Sequence, residues 1–417
     1  MQENANILDE VFERAVKNTR IFKYRNVLRH DYIPEKLPHR EEQIRYFGEI
    51  VASVLKGDRC SNVFVYGKTG TGKTAVIKYV LNRLLDKAQS LGIPLKACYV
   101  NCRLSGTEYR VFASLCSTLS VKVPFTGLAV GEVFDRFKTS LDMHSSLLIV
   151  VLDEIDELVK TRGDMLLYEL TRMNESLTKS KLSLVGISND LRFKELLDPR
   201  VLSSLSEEEI VFRPYNADEL CDILLGRCNL AFFDEVLSEG ALSLCAALAA
   251  AEHGDARRAL DMLRVAGELA ERSAATKIME EHVRNAEKRI EHDRIIDALK
   301  NLTPHSKLVL ASVYLLSKAN ITSAITGDIY EIYQEICELT GYNILTQRRV
   351  SGLINELDIS GLLNSRVVSM GRYGRTKKIR LSTARGLVTK VFSEDERLKC
   401  LVDYSPKCLT GFSGRQS

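Results

Sequence analysis

Asn62-Val-Phe-Val-Tyr-Gly-Lys-Thr-Gly-Thr-Gly-Lys-Thr74 decides the fold. An apolar run, Val63 to Val65, ends at Gly67, and a helix-like run, Ala75 to Leu81, follows Thr74. Between them lies G-x-x-x-x-G-K-T, the spacing of a phosphate-binding loop. Gly67, Gly70 and Gly72 let the backbone curl, with Thr69 and Thr71 between them, so that successive amides face one anion. The helix start adds free N–H groups and the positive end of its dipole. Lys73 is placed for the β- and γ-phosphates, and the Thr74 hydroxyl for Mg²⁺. A ligand-free Gly-rich turn is the plainer alternative; the strand before and the helix after argue against it. The stretch predicts binding of a nucleoside triphosphate.

Working outward, four further apolar runs alternate with helical patterns: Leu95–Val100, Leu147–Leu152, Leu182–Ile187 and Glu209–Phe212. This alternation predicts a parallel sheet covered on both faces, with ligands gathering at the carboxyl ends of its strands. The run Leu147–Leu152 delivers Asp153-Glu154-Ile-Asp156. Adjacent carboxylates at the end of a buried strand are costly unless they have a task there. Asp153 is expected to hold Mg²⁺ through water, and Glu154 to polarise an attacking water. The run Leu182–Ile187 ends in Ser188-Asn189-Asp190. Asn189 either reaches the γ-phosphate or caps a helix over Leu191–Leu197, and Asp190 is able to cap in its place. Arg200, in Asp198-Pro-Arg200, reads either as a solvated side chain or as an arginine finger entering a neighbour's site. Upstream, a segment with two prolines (Asp31 to Arg40) leads to a helix over Glu41–Leu55.

Beyond Phe212-Arg-Pro-Tyr215, every strong pattern is helical, over Glu219–Cys228, Glu239–Glu252, Asp255–Arg272 and Met279–Leu299. Asn216-Ala-Asp-Glu219 has capping-box spacing. From about residue 296 the pattern changes. Thr303-Pro304 starts a helix in cap-then-proline order, and further helices are expected near Asp328–Leu339 and Thr346–Leu357. The stretch Arg366 to Arg380 then alternates and turns at two glycines, a hairpin pattern. Its tip carries Arg372, Arg375, Lys377 and Lys378 around Tyr373. Three helices and a basic hairpin predict a winged helix. Gln347, Arg348 and Arg349 open the helix that enters a major groove, and the wing suits a minor groove. A winged helix also serves as a protein dock, so DNA contact and docking both stay open on this pattern alone.

Composition narrows the classes. The 417 residues suffice for two or three domains. The net charge of +3 requires any nucleic-acid surface to arise from local clusters. Ten scattered cysteines without a C-x-x-C pair support neither a zinc site nor a disulfide framework. No signal peptide and no run of membrane-spanning length is visible, so a soluble cytoplasmic, nucleoid-associated protein without membrane partners is expected.

Phosphate loop, Asp-Glu strand, Asn at the next strand end and Arg shortly after together resemble the AAA+ ATPases. Tyr32-Ile-Pro-x-x-Leu-Pro-x-Arg40, Asn101-Cys-Arg103, Val123-Pro-Phe-Thr-Gly127, Phe212-Arg-Pro-Tyr-Asn216 and Gly254-Asp-Ala-Arg-Arg-Ala-Leu260 narrow the likeness to the archaeal origin-recognition replication initiators. The wing stretch Gly371-Arg-Tyr-Gly-Arg-Thr376 matches them too. The resemblance implies an α/β AAA+ base (1–213), an all-helical lid (214–295) and a C-terminal winged helix (296–417). It implies that Tyr32, Ile33 and Arg40 line an adenine pocket, that Tyr215 and Arg227 contact the nucleotide, and that Asn189 is the first sensor. Arg257 becomes the second sensor and Arg200 the arginine acting in trans. Leu104–Leu128 corresponds to the initiators' helical insertion, where Arg110 and Lys122 either touch duplex DNA or remain solvated. The implied ligands are ATP or ADP with Mg²⁺, turned over slowly if at all. The implied partners are double-stranded origin DNA, the replicative MCM-type helicase and other initiator subunits. Three other functions fit parts of the pattern: a clamp-loader-like ATPase, a STAND-type signalling ATPase whose winged helix docks protein, and a transcription factor with a nucleotide-binding domain.

Overall fold

The computed structural model describes residues 21–407, except 30, 31, 33, 125, 206, 322 and 370–374. The chain divides into two compact units, 1–286 and 287–417, and the division falls within the helix Glu280–Lys300.

In the first unit, β1 (Asn62–Gly67), β2 (Leu95–Asn101), β3 (Leu147–Asp153), β4 (Lys181–Ser188) and β5 (Glu207–Phe212) form one sheet in the order β2-β3-β4-β1-β5. Every pairing in it is parallel. Successive residues alternate between two cores, as strand geometry requires. Phe64, Tyr66, Leu148, Val150 and Leu152 enter one core, while Val63, Val65, Leu147, Ile149 and Val151 enter the other. Each such buried side chain contributes roughly 1.5–3 kcal/mol. Gly186 in β4 leaves room for the Phe64 ring, since a Cβ there would stand 2.5 Å from Phe64 Cε1.

The sequence reading places the strands within two residues of their observed limits. The helix expected over Leu191–Leu197 is a correction. Only a 3₁₀ turn, Phe193–Leu196, forms there, and an α-helix begins instead at Pro199, running to Leu205. Asp198 Oδ1 accepts the Arg200 amide at 2.8 Å, so Asp198-Pro199 acts as cap and first helical residue. The helix expected over Glu41–Leu55 is α-helical to Val51 and 3₁₀ to Lys56, ending at Gly57 with φ 83°.

Four helices follow β5: Ala217–Ala231, Glu239–Ala251, Ala256–Arg272 and Glu280–Lys300. The first begins with the anticipated capping box, Asn216 and Glu219 each bonding the other's amide. The stretch from Ile21 to Arg29 lies against these helices. Phe22 bridges Phe232, and Val27 accepts from Arg227.

In the second unit, Thr303 caps helix Pro304–Lys318, followed by helices Thr326–Thr340 and Gln347–Ile359. β7 (Leu363–Ser369) and β8 (Arg375–Leu381) form the hairpin. A two-residue strand, β6 (Ala324–Ile325), joins β8 from the other side and was not visible in the sequence pattern. Leu308, Ile329, Tyr333, Leu353, Ile379 and Phe392 fill the core. Among the described residues, no helix is long and apolar enough to cross a membrane.

Candidate functional site

The loop between β1 and helix Lys73–Ser90 turns through Gly70 (φ 74°) and Gly72 (φ 89°), values that suit glycine and strain other residues. Lys73 is 5% exposed. Its ammonium donates to the carbonyls of Gly67 and Lys68, each at 2.8 Å, and to Asn189 Oδ1 at 2.9 Å. Burial pushes this amine down to about 8. Asp153 partly opposes the shift and Arg257 adds to it. Thr74 Oγ1 donates to Asp153 Oδ2 at 2.8 Å, and the Glu154 amide donates to Asp153 Oδ1 at 2.9 Å. Glu154 is held at φ 54°, a left-handed conformation a non-glycine residue keeps only when its surroundings impose it.

Residues 69–74, Asp153, Glu154, Asn189 and Arg257 line one pocket at the carboxyl end of the sheet. Its donors fit a triphosphate with Mg²⁺: an ammonium, a guanidinium, a hydroxyl and a carboxylate around a glycine loop. Among the described residues, no group of three or more His, Cys, Asp or Glu could hold a metal ion. Mg²⁺ seldom needs such a cage, because it takes remaining ligands from phosphate and water.

Two side chains that the sequence reading passed over complete this end of the sheet. Tyr99, on β2, donates its hydroxyl to Asp153 Oδ2. Its place in a strand is legible from the apolar run, but its register opposite Val151 and its partner are not. Asp156, 2% exposed, accepts the Asn189 amide at 3.3 Å and lies 3.8 Å from the Lys160 ammonium. Asp190 Oδ1 accepts the Arg192 amide at 3.0 Å, which leaves the Asn189 side chain to Lys73.

Other expected residues lie outside that pocket. Arg227 donates to Val27 O and Tyr32 O, each at 3.0 Å, and its guanidinium stands 4.7 Å over the Tyr32 ring. Arg40 is 4% exposed, with its guanidinium 3.8 Å over the Tyr215 ring. Arg200 is exposed and its Nε lies 3.3 Å from Asp198 Oδ1. Ile33 lies outside the described residues.

The basic positions are laid out differently. Gln347, Arg348 and Arg349 open their helix on the surface, and Arg349 Nη1 is 3.8 Å from Glu356. Lys378 on β8 is exposed, and Lys377 donates to Asn355 Oδ1 of the helix Gln347–Ile359. Arg375 opens β8, while Arg372 and Tyr373 lie outside the described residues. In the first unit, Arg110 and Arg162 share the wall of an open concavity, and Lys122 is exposed.

A five-stranded parallel sheet with a phosphate loop, a helical lid and a winged helix defines an AAA+ ATPase equipped with a DNA-binding-type domain. The families matched agree. Residues 56–194 match the AAA domain, 221–288 the Cdc6 AAA+ ATPase-type lid domain, and 297–391 the CDC6 C-terminal winged helix domain. The chain is 50% identical to an ORC1-type DNA replication protein of Pyrococcus abyssi over 404 residues, covering 96% of each. It is 48% identical to ORC1-type DNA replication protein 1 of Methanosarcina acetivorans over 405 residues, 96% of this chain and 97% of that one. The Aeropyrum pernix ORC1 protein, solved in complex with DNA, superposes with a TM-score of 0.83 at 49% identity, covering 91% of this chain and 99% of that chain. The chain belongs to the ORC1-type DNA replication proteins.

Proposed function

We propose that the chain is an ATP-regulated replication initiator. Its winged helix and helical insertion bind double-stranded origin DNA, and its phosphate loop binds ATP or ADP with Mg²⁺. The nucleotide sets its competence to recruit the replicative MCM-type helicase. The observation that carries this reading is the likeness, over nearly the whole chain, to an ORC1 protein solved with DNA. Base, lid and winged helix occupy about 1–213, 214–295 and 296–417 in this scheme. Lys73 and Thr74 take phosphate and metal, Asp153 orients the metal's water, and Glu154 polarises the attacking water. Asn189 and Arg257 read the terminal phosphate from base and lid. Gln347, Arg348 and Arg349 read the major groove. Arg372, Tyr373, Arg375, Lys377 and Lys378 engage backbone and minor groove.

Footprinting of the full chain on its own chromosome, with ATP and with ADP, tests the proposal. A discrete protected site whose extent depends on the nucleotide is expected. Uniform binding to any duplex, or none, would overturn it. Arg200, exposed and outside the pocket, serves a neighbouring initiator subunit in this reading. Turnover per molecule, slow in absolute terms, is then expected to rise with protein concentration on origin DNA. Arg200→Ala should abolish that rise and leave ATP binding intact.

A further inference from the structure

The phosphate loop is held from behind by the lid side of the first unit. Two successive loop carbonyls accept from donors outside the sheet. The amide of Ala256, first residue of the lid helix Ala256–Arg272, donates to Gly70 O at 3.2 Å. Arg40 Nε donates to Thr71 O at 2.9 Å. The rest of the Arg40 guanidinium is committed to His39 O at 2.9 Å and Arg213 O at 2.7 Å, and it stacks on Tyr215. Arg213 and Tyr215 belong to the segment that leads from β5 into the lid, and the Tyr215 amide donates to Gly254 O at 3.4 Å. Gly70 and Gly72 permit the approach. A Cβ on Gly70 would lie 1.7 Å from Asp255 Oδ1, and one on Gly72 would lie 2.7 Å from the Tyr215 hydroxyl.

We propose that Arg40 and the Ala256 amide couple the lid to the phosphate loop, with Arg40 positioning the loop rather than contacting the nucleobase. This rests on reading the loop as a triphosphate site. The Gly70 carbonyl shares its peptide group with the Thr71 amide, and the Thr71 carbonyl shares one with the Gly72 amide. In a phosphate loop those amides face the anion. A peptide whose N–H bonds a phosphate becomes a stronger acceptor at its oxygen, because hydrogen bonds in a chain polarise one another. Filling the loop therefore tightens both rear bonds. It draws in the first turn of the lid helix, which carries Arg257. Loss of phosphate loosens the same turn.

Competition of ATP, GTP and inorganic tripolyphosphate against a fluorescent ATP analogue, on the full chain, tests this. Arg40→Gln is expected to lower all three affinities by one common factor, about tenfold, leaving the ATP-to-GTP ratio as in the parent. A ratio that collapses while tripolyphosphate affinity holds would make Arg40 a base contact and overturn the proposal. Ala256→Pro offers a second probe, at the lid arm. Proline is accepted at the first helical position, and Asp255 already has the extended backbone (ψ 108°) that a residue before proline needs. It removes the amide donor and sets the ring Cδ against Gly70 O, so the rear bond becomes a repulsion and a common loss of at least about three- to tenfold is expected. Parent affinities in this variant would overturn the lid arm, even if Arg40→Gln fails to fold. Lys73→Ala separates the two readings. If it weakens binding while the other variants do not, the triphosphate site stands and the coupling falls. If none of the three weakens binding, the site reading falls and the coupling with it.

Discussion

The two charged regions of this protein are arranged in opposite ways. At the carboxyl end of the sheet the charged groups are buried and already engaged. The Lys73 ammonium has three oxygen acceptors, and the Asp153 carboxylate takes two hydroxyls and an amide. On the winged helix, Gln347, Arg348, Arg349 and Lys378 stand in solvent. The first arrangement is preorganised: desolvation strengthens each contact, and little ordering remains when ligand arrives. In the proposed function, the second relies on counterion release and on side chains that settle upon binding. One end should respond to single atoms and to proton concentration, the other to ionic strength.

The largest effect is expected at the engaged end. Lys73→Ala deletes a charge-assisted contact worth about 1.5–3 kcal/mol, so ATP affinity should fall roughly ten- to a hundredfold in a fluorescent-analogue titration. Glu154→Gln, of the same shape, should keep ATP binding and lose hydrolysis. DNA affinity of the isolated nucleotide-free protein should be unchanged in both.

A comparable loss, confined to specificity, is expected on the helix that opens with Gln347. Arg348→Ala should reduce discrimination between origin and random duplex by about 1–3 kcal/mol if it reads a base edge, with ATP affinity intact. Equal loss on both duplexes would reassign it to the backbone.

Arg375→Ala combined with Lys377→Ala should weaken binding to every duplex. The slope of log affinity against log salt should flatten by up to about 2, near 0.9 for each phosphate released. A titration at three salt concentrations measures it. An unchanged slope would make the hairpin a protein dock.

The smallest effect separates the two ends by pH. Burial holds the Lys73 amine at about 8, below its ordinary value. Below that pH the free protein presents the ammonium that phosphate requires. Above it, binding must take up a proton, so ATP affinity should decline as pH rises through 8, approaching about tenfold per unit. A guanidinium stays charged across that range, so DNA affinity should show no such break. Lys73→Ala should abolish the break in ATP affinity.

What could be read in the sequence follows the same division. Strands, caps and the phosphate loop are local patterns, and they appear where periodicity places them: Asn216 with Glu219, Thr303 with Pro304, Asp153 at the end of β3. Partnerships across the sheet were not legible. Tyr99 looks like any strand tyrosine until β2 lies beside β3 and its hydroxyl meets Asp153. Arg40 sits in a segment whose likeness to relatives points to adenine, yet its bonds go to Thr71, His39 and Arg213. The helix expected at Leu191–Leu197 and not formed there is a different failure. Its apolar spacing was too short to outweigh the fresh start that Asp198 and Pro199 impose.

The strand order carries one more consequence. Because β4 lies between β1 and β3, the proposed phosphate loop and the Asp153-Glu154 pair sit on strands that are not neighbours. Asn189, just beyond β4, bonds Lys73 of the loop with its side chain and Asp156 of the helix after β3 with its amide. It is a tie-bar across the gap, laid beside the direct Thr74–Asp153 bond, so replacing it should slacken the span between loop and carboxylates without severing it.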